Sequence, residues 1–424
     1  MIAETRRGFA HMSERIVVSG IGCIGSLGIG HQEFTGALLA GRTAVAPITA
    51  FETTQCRSHR AAMLSGFRAD AFLDLARLRR VDHVGRLALS ACRLALEDAG
   101  LTAPPASNDE QIGVVLGTTT AGVHTTVEYM DNLIARGAAG VSAMSFSNTV
   151  GNAPASLCGI EYGLRGPNVT FSNKEASALA AMAFAFRILR QRRAAAVVAG
   201  GADELDRMFY EAHDRFHVLS PSDKGEEASR PFDRRRNGFV FGEGGFLMVL
   251  EPMATAEARG AAWYGELLGV GATASPCKLN DWPSDPSELA RCMQMALDSA
   301  AVTAEDVSVV FASANSTPRL DRLEAGALRE VFGPGGVPVV SIKGAVGEFG
   351  AVGAASTAAA FLCLREGRIP PTVGCDEPDS DLEVDVSSAS RELQDAAGHS
   401  IALVNSFASG GANYSVVVRG QRPL

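Results

Sequence analysis

Glu175 stands between a run that reads as a strand, Asn168–Ser172, and a run of small residues that reads as a helix, Ala176–Arg190. At the first turn of such a helix, a carboxylate is stabilised by free backbone amides and the positive helix end. Far along the chain, Lys343-Gly-Ala-Val-Gly-Glu348 places a lysine five residues before a second glutamate. If Glu175 and Glu348 face one pocket, they form a carboxylate pair suited to acid/base chemistry, such as cyclisation or acyl hydrolysis. No histidine occurs between His217 and His399 to assist them, and the eight histidines read as surface or packing residues. The eight cysteines, at 23, 56, 92, 158, 277, 292, 363 and 375, form no CxxC pair. They read as buried free thiols of a reducing compartment, with no metal site and no cofactor expected.

These residues need a large scaffold, and the composition supplies one. The chain has 424 residues, 46% hydrophobic and 20% charged, enough for one fused fold or two domains. Its 45 glycines and 6% aromatics predict tight turns and close backbone approaches. A net charge of −9 argues against nucleic acid or an anionic membrane as partner, and Arg234-Arg-Arg236 reads as a solvated loop. No apolar run reaches the ~18 residues of a membrane span. Met1–His11 lacks the apolar core of a signal peptide, so a cytoplasmic protein is expected.

Strands are expected at Arg15–Gly25, Gln111–Gly117, Ala194–Ala202 and Phe246–Glu251, and helices at Glu33–Ala40 and Val84–Ala99. Thr255–Gly260 reads as the start of a link. The second half repeats the plan: strand Val307–Ala312, strand Val337–Ile342, a small-residue helix near Gly350–Leu364, and strand Ser400–Asn405. The pattern predicts a duplicated, layered α/β unit. Its parts are an N-terminal extension at 1–14, a first half at 15–254 and a second half at 255–424.

The run Gly166–Ala181, followed by the Gly200-Gly201 turn, resembles the β-ketoacyl synthases, the decarboxylating condensing enzymes of fatty-acid and polyketide assembly. So do Arg230-Pro-Phe-Asp233 with Gly238-Phe-Val-Phe-Gly-Glu-Gly244, and Asn405-Ser-Phe-Ala-Ser-Gly-Gly-Ala-Asn413. The resemblance runs from about Arg15 to Arg419 and implies the thiolase-type five-layer αβαβα sandwich built from two similar halves. It also places the family's nucleophilic cysteine at Glu175, one active-site histidine at Ser313 and the other at Glu348, and its lysine at Lys343. The gate loop then contains Phe407, with Ser409 at the gate position itself.

By that resemblance the chain lacks the thiolate that accepts the acyl chain and the donors that stabilise an enolate. No catalytic residue is expected for condensation. The expected role is a chain-length-factor-like subunit paired with an active ketosynthase subunit and served by an acyl carrier protein. Met144, Phe146 and Thr149 are the expected tunnel residues, and a polyene or reduced chain is favoured over an aromatic one. The alternatives are an enzyme using Glu175 and Glu348, or a non-catalytic scaffold for acyl carrier protein. Glu175 and Lys343 are further expected to lie within hydrogen-bonding reach, directly or through one water.

Overall fold

The computed structural model describes residues 14–74, 78–101, 111–393 and 400–421. The segment Met1–His11 lies outside them. Eleven strands form the path of one mixed sheet: β1 (Ile16–Gly25), β2 (Ile112–Gly117), β3 (Asn168–Phe171), β4 (Ala196–Asp203), β5 (Gly244–Pro252), β6 (Gly265–Ala274), β7 (Val307–Phe311), β8 (Pro338–Val340), β9 (Asp385–Val386), β10 (Ile401–Phe407) and β11 (Ala412–Gly420). The first half runs β3-β2-β4-β5-β1 and the second β8-β7-β10-β11-β6, with β9 beyond β8. In each half the first three strands are parallel and the last two join antiparallel. This identical order is the structural form of the duplication. The halves meet where β1 pairs antiparallel with β6, Ile16 opposite Leu267 and Val18 opposite Gly265.

Six helices complete the layers: α1 (His83–Asp98), α2 (Ala153–Glu161), α3 (Ser177–Arg190), α4 (Ser287–Ala300), α5 (Pro318–Phe332) and α6 (Val352–Glu366). Helices α1 and α2 cover the outer face of the first half, and α4 and α5 that of the second. Helices α3 and α6 pack on each other between the two halves of the sheet, giving five layers. Every residue of α6 from Val352 to Leu364 is buried. A helix enclosed on all sides has no polar stripe, and alanine-rich turns let both halves of the sheet approach it closely.

Two expectations shift. Thr255–Gly260 is not an open link, because the helix Met253–Ala258 occupies most of it. Strand β6 went unread in the sequence, since glycines interrupt its apolar pattern. Those glycines lie under α4: a Cβ on Gly271 would come within 2.0 Å of the Cys292 carbonyl oxygen. Among the described residues no helix is long and apolar enough to cross a membrane.

The ends of β2 and β4 fix where α3 begins. A Cβ on Gly117 would lie 2.2 Å from the Ser177 carbonyl carbon, and one on Gly201 would lie 2.6 Å from the Gly117 oxygen. Only glycine lets the helix start sit directly on the strand ends. Gly117→Ala is therefore expected to lower stability by about 3 kcal/mol, as overpacking against backbone does. Urea denaturation checks this, and a loss below about 1 kcal/mol would show that α3 can shift freely.

Candidate functional site

The turn Lys174–Ala176 leads into α3 and holds Lys174 at φ 52, a left-handed conformation unusual for lysine. The turned peptide lets the Lys174 carbonyl accept hydrogen bonds from Ser177 Oγ at 2.6 Å and Thr119 Oγ1 at 3.1 Å. Glu175 follows, half-buried, and its backbone carbonyl accepts from Ser406 Oγ at 2.8 Å. Its carboxylate accepts from the Ser409 backbone N–H at 3.2 Å and from Ser409 Oγ at 3.1 Å. Lys174 Nζ donates to Ser409 Oγ at 3.3 Å and also to Asn280 Oδ1. Residue 175 and the loop at 409 are thus tied together.

Lys343 makes no direct hydrogen bond to Glu175, which corrects the direct form of the expected pairing; its ammonium bonds to Glu348 and the Ser313 carbonyl instead. A one-turn helix, Lys343–Val346, and Gly347 at φ 77 fold the chain back, so that Glu348 meets the lysine five residues before it. Lys343 Nζ donates to Glu348 Oε2 at 2.8 Å and to the Ser313 carbonyl at 2.6 Å. Asn315 Nδ2 donates to the same Glu348 oxygen at 2.7 Å. Both charged groups of this pair are 2% exposed or less. Burial pushes the Glu348 carboxyl up; the Lys343 ammonium opposes that push, and the nearby Glu175 carboxylate adds to it. Glu348 Oε1 has no hydrogen-bond partner.

Ser313, at the end of β7, is fully buried and turned away. Its hydroxyl accepts from the Phe407 N–H at 2.9 Å, while its own N–H donates to Glu324. Phe407 itself packs in the outer core of the second half. Neither residue lines the cavity that Glu175 and Glu348 share. That cavity holds about 270 Å³ and is walled mainly by Phe209, Phe216, Phe239, Phe241 and Phe349.

The sequence reading missed Glu204, which also lines this cavity. It sits just past the C-terminal end of β4, 5% exposed, and its Oε1 has no partner. Adjacent acids after a Gly-Gly strand end were a usable signal, because open α/β sheets bind ligands beyond the carboxyl ends of their strands. The preceding Asp203 is structural: its Oδ1 accepts from Thr118 Oγ1, the Thr119 and Thr120 N–H groups and Thr120 Oγ1, which fixes the turn after β2. Burial, chiefly, pushes the Glu204 carboxyl up to about 7; Asp82 and Asp206 add to this, and His83 and His124 oppose it.

Met144 and Phe146 belong to the short helix Ala143–Phe146 and are 56% and 58% exposed. Phe146 packs against Tyr129, with ring centroids 5.9 Å apart. Thr149 lines a separate groove of about 440 Å³, and Met208 borders both this groove and the Glu175 cavity. The site therefore offers carboxylates in an apolar chamber, with no thiol among its described lining residues. His213, also in the wall, is pushed down by burial, and its Nδ1–H donates to the Phe209 carbonyl at 2.8 Å.

The family model for the β-ketoacyl synthase N-terminal domain matches residues 13–256, and that for the C-terminal domain matches residues 264–376. The chain is 30% identical over 410 residues to the 3-oxoacyl-[acyl-carrier-protein] synthase 2 of Coxiella burnetii, covering 95% of this chain and 98% of that one. It is 35% identical over 408 residues to the tetracenomycin polyketide synthase ketoacyl synthase beta subunit of Streptomyces glaucescens, with coverages of 95% and 98%. Among solved structures, the ishigamide ketosynthase/chain length factor superposes with a TM-score of 0.88 at 29% identity, covering 97% of this chain and 100% of that chain.

Two measurements probe the electrostatics. Lys343→Met is expected to cost about 3–5 kcal/mol by stranding Glu348, and the Lys343→Met/Glu348→Gln double variant to recover most of that loss. Additive losses in chemical denaturation would show that the two groups act independently. The second concerns Glu204. Its carboxyl keeps a proton in the folded state up to about 7, whereas in the unfolded chain it ionises near its ordinary value of 4.5. Stability is therefore lost as pH rises between those values. Glu204→Gln removes this loss, so its stability relative to the parent should grow by up to about 3 kcal/mol between pH 4.5 and 7. A constant difference across that range would contradict the shift.

Proposed function

The chain belongs to the β-ketoacyl synthase family, and we propose that within it the chain is a non-condensing subunit that pairs with an active ketosynthase in type II polyketide elongation. The carrying observation is the chemistry at the start of α3. Where condensation requires a thiolate, Glu175 presents a carboxylate bound to Ser409. Where it requires donors toward an enolate oxygen, Glu348 presents another carboxylate. Negative charge aimed at a developing oxyanion raises the barrier instead of lowering it. The likeness to a protein described as a ketoacyl synthase beta subunit, and to a ketosynthase/chain length factor structure, supports the same reading.

On this reading the partner subunit supplies the nucleophile, and the acyl carrier protein brings the phosphopantetheine-linked chain. Strand β3 ends the sheet, paired with β2 on one side only. On the same half, Met144, Phe146, Val150 and Ile160 are exposed apolar side chains. An edge strand and apolar residues of this kind suit an obligate interface of well over ~2,000 Å² in total. Met144, Phe146 and Thr149 then bound the partner's acyl tunnel and set where the chain stops. A polyene or reduced chain is the product class proposed.

Co-expression with an active ketosynthase and acyl carrier protein tests this. The two synthase chains should co-purify, the complex should build a carrier-bound chain, and Phe146→Ala should lengthen it in mass spectrometry. The isolated chain should neither accept an acyl group nor decarboxylate malonyl-carrier protein, and Glu175→Cys alone should not restore condensation. Condensation or decarboxylation by the isolated parent chain would overturn the reading. So would a stable monomer that ignores the synthase.

A further inference from the structure

The Glu175 cavity is not an inert remnant. Two of its buried carboxylate oxygens, Glu348 Oε1 and Glu204 Oε1, have no hydrogen-bond partner, although both side chains are at least nine-tenths buried. Their other contacts are already committed. Glu348 Oε2 takes the Lys343 and Asn315 donors, and Glu175 takes those of Ser409. Lys174, a basic residue of the lining beside His213, is bonded to Asn280 and Ser409. The chamber thus holds two carboxylate oxygens that no protein donor reaches. A buried acceptor without a donor is unfavourable, so a ligand that brings one is favoured.

The walls add a second selection. Phenylalanine faces attract cations and shelter apolar bodies. A carboxylate ligand would enter against Glu175, Glu204 and Glu348, and a thioester or ketone carbonyl would bring only further acceptors. We propose that this cavity binds a small apolar ligand bearing a hydrogen-bond donor head, a primary ammonium before a hydroxyl, with the head between Glu348 and Glu204 and the body against the phenylalanines. The site belongs to this chain alone and requires neither a partner subunit nor condensation, so its failure leaves the silent-subunit reading untouched.

Titration of the full chain with 2-phenylethylamine, 2-phenylethanol and 3-phenylpropionate at about pH 8, where the Glu204 carboxyl has lost its proton, followed by calorimetry or ligand-observed NMR, tests the proposal. The amine should bind best, the alcohol next, and the carboxylate at least tenfold more weakly than the amine. Glu204→Gln should weaken the amine about tenfold and the alcohol much less. Ala212→Phe, on a half-buried wall residue of the helix Arg207–Arg215, should fill the chamber and abolish binding of both while the melting curve stays that of a folded protein. Carboxylate binding as tight as the amine overturns the proposal. Amine binding that survives Ala212→Phe overturns it too, as does absence of amine and alcohol binding at millimolar concentration.

Discussion

The structure depends on enclosing two small-residue helices, α3 and α6, between the two halves of its sheet. Helix α6 has no face for water from Val352 to Leu364, and α3 shows water little beyond Arg187 and Arg190, so the turns must be narrow enough for strands to pass on both sides. The strands answer with glycine where a helix end presses on them, as at Gly117 and Gly201. The result is a rigid floor from which the Lys174–Ala176 turn and the residues after β4 project. Burial of this central layer decides where residue 175 stands, whatever its chemistry.

On that floor, local charge decides which groups meet. Lys343 has a carboxylate within one tight turn and a carbonyl above it, and these satisfy its ammonium before Glu175 comes into reach. Glu175 turns to Ser409, where the loop supplies an N–H and a hydroxyl together. Each carboxylate thus takes the nearest donors set by its own backbone. The buried ion pair does not by itself add much stability, since desolvation offsets its attraction, but it commits Lys343.

Much of the scaffold was legible in the sequence because apolar strands and alanine-rich helices carry their own periodicity. The duplicated order was visible in the matching runs 111–117 and 307–312, and 194–202 and 400–405. Strand β6 was not, because the residues that let α4 cross it are glycines, which erase the strand signal. At the site, the positions 175, 343 and 348 were found through a family resemblance. Their pairings were not, since the left-handed Gly347 that brings Glu348 back to Lys343 is a tertiary outcome. Glu204, Phe209 and Phe216 are close in the chain, but Phe239 and Phe241 come from a later segment and Phe349 from the second half, and no local pattern joins them.

The tie between Glu175 and Ser409 also bears on how often the loop around residue 409 lifts. Opening it breaks two hydrogen bonds to a carboxylate and disturbs the Lys174 contact to the same serine. Glu175 is half-exposed, so water recovers part of that loss. Even a net cost of about 1.5 kcal/mol leaves the lifted form at less than a tenth of the population. The surface presented beyond residue 409 is then nearly constant in time, a fixed mould instead of a moving part. Any assembly built on it meets one shape on nearly every encounter, and the search over conformations is left to the other component.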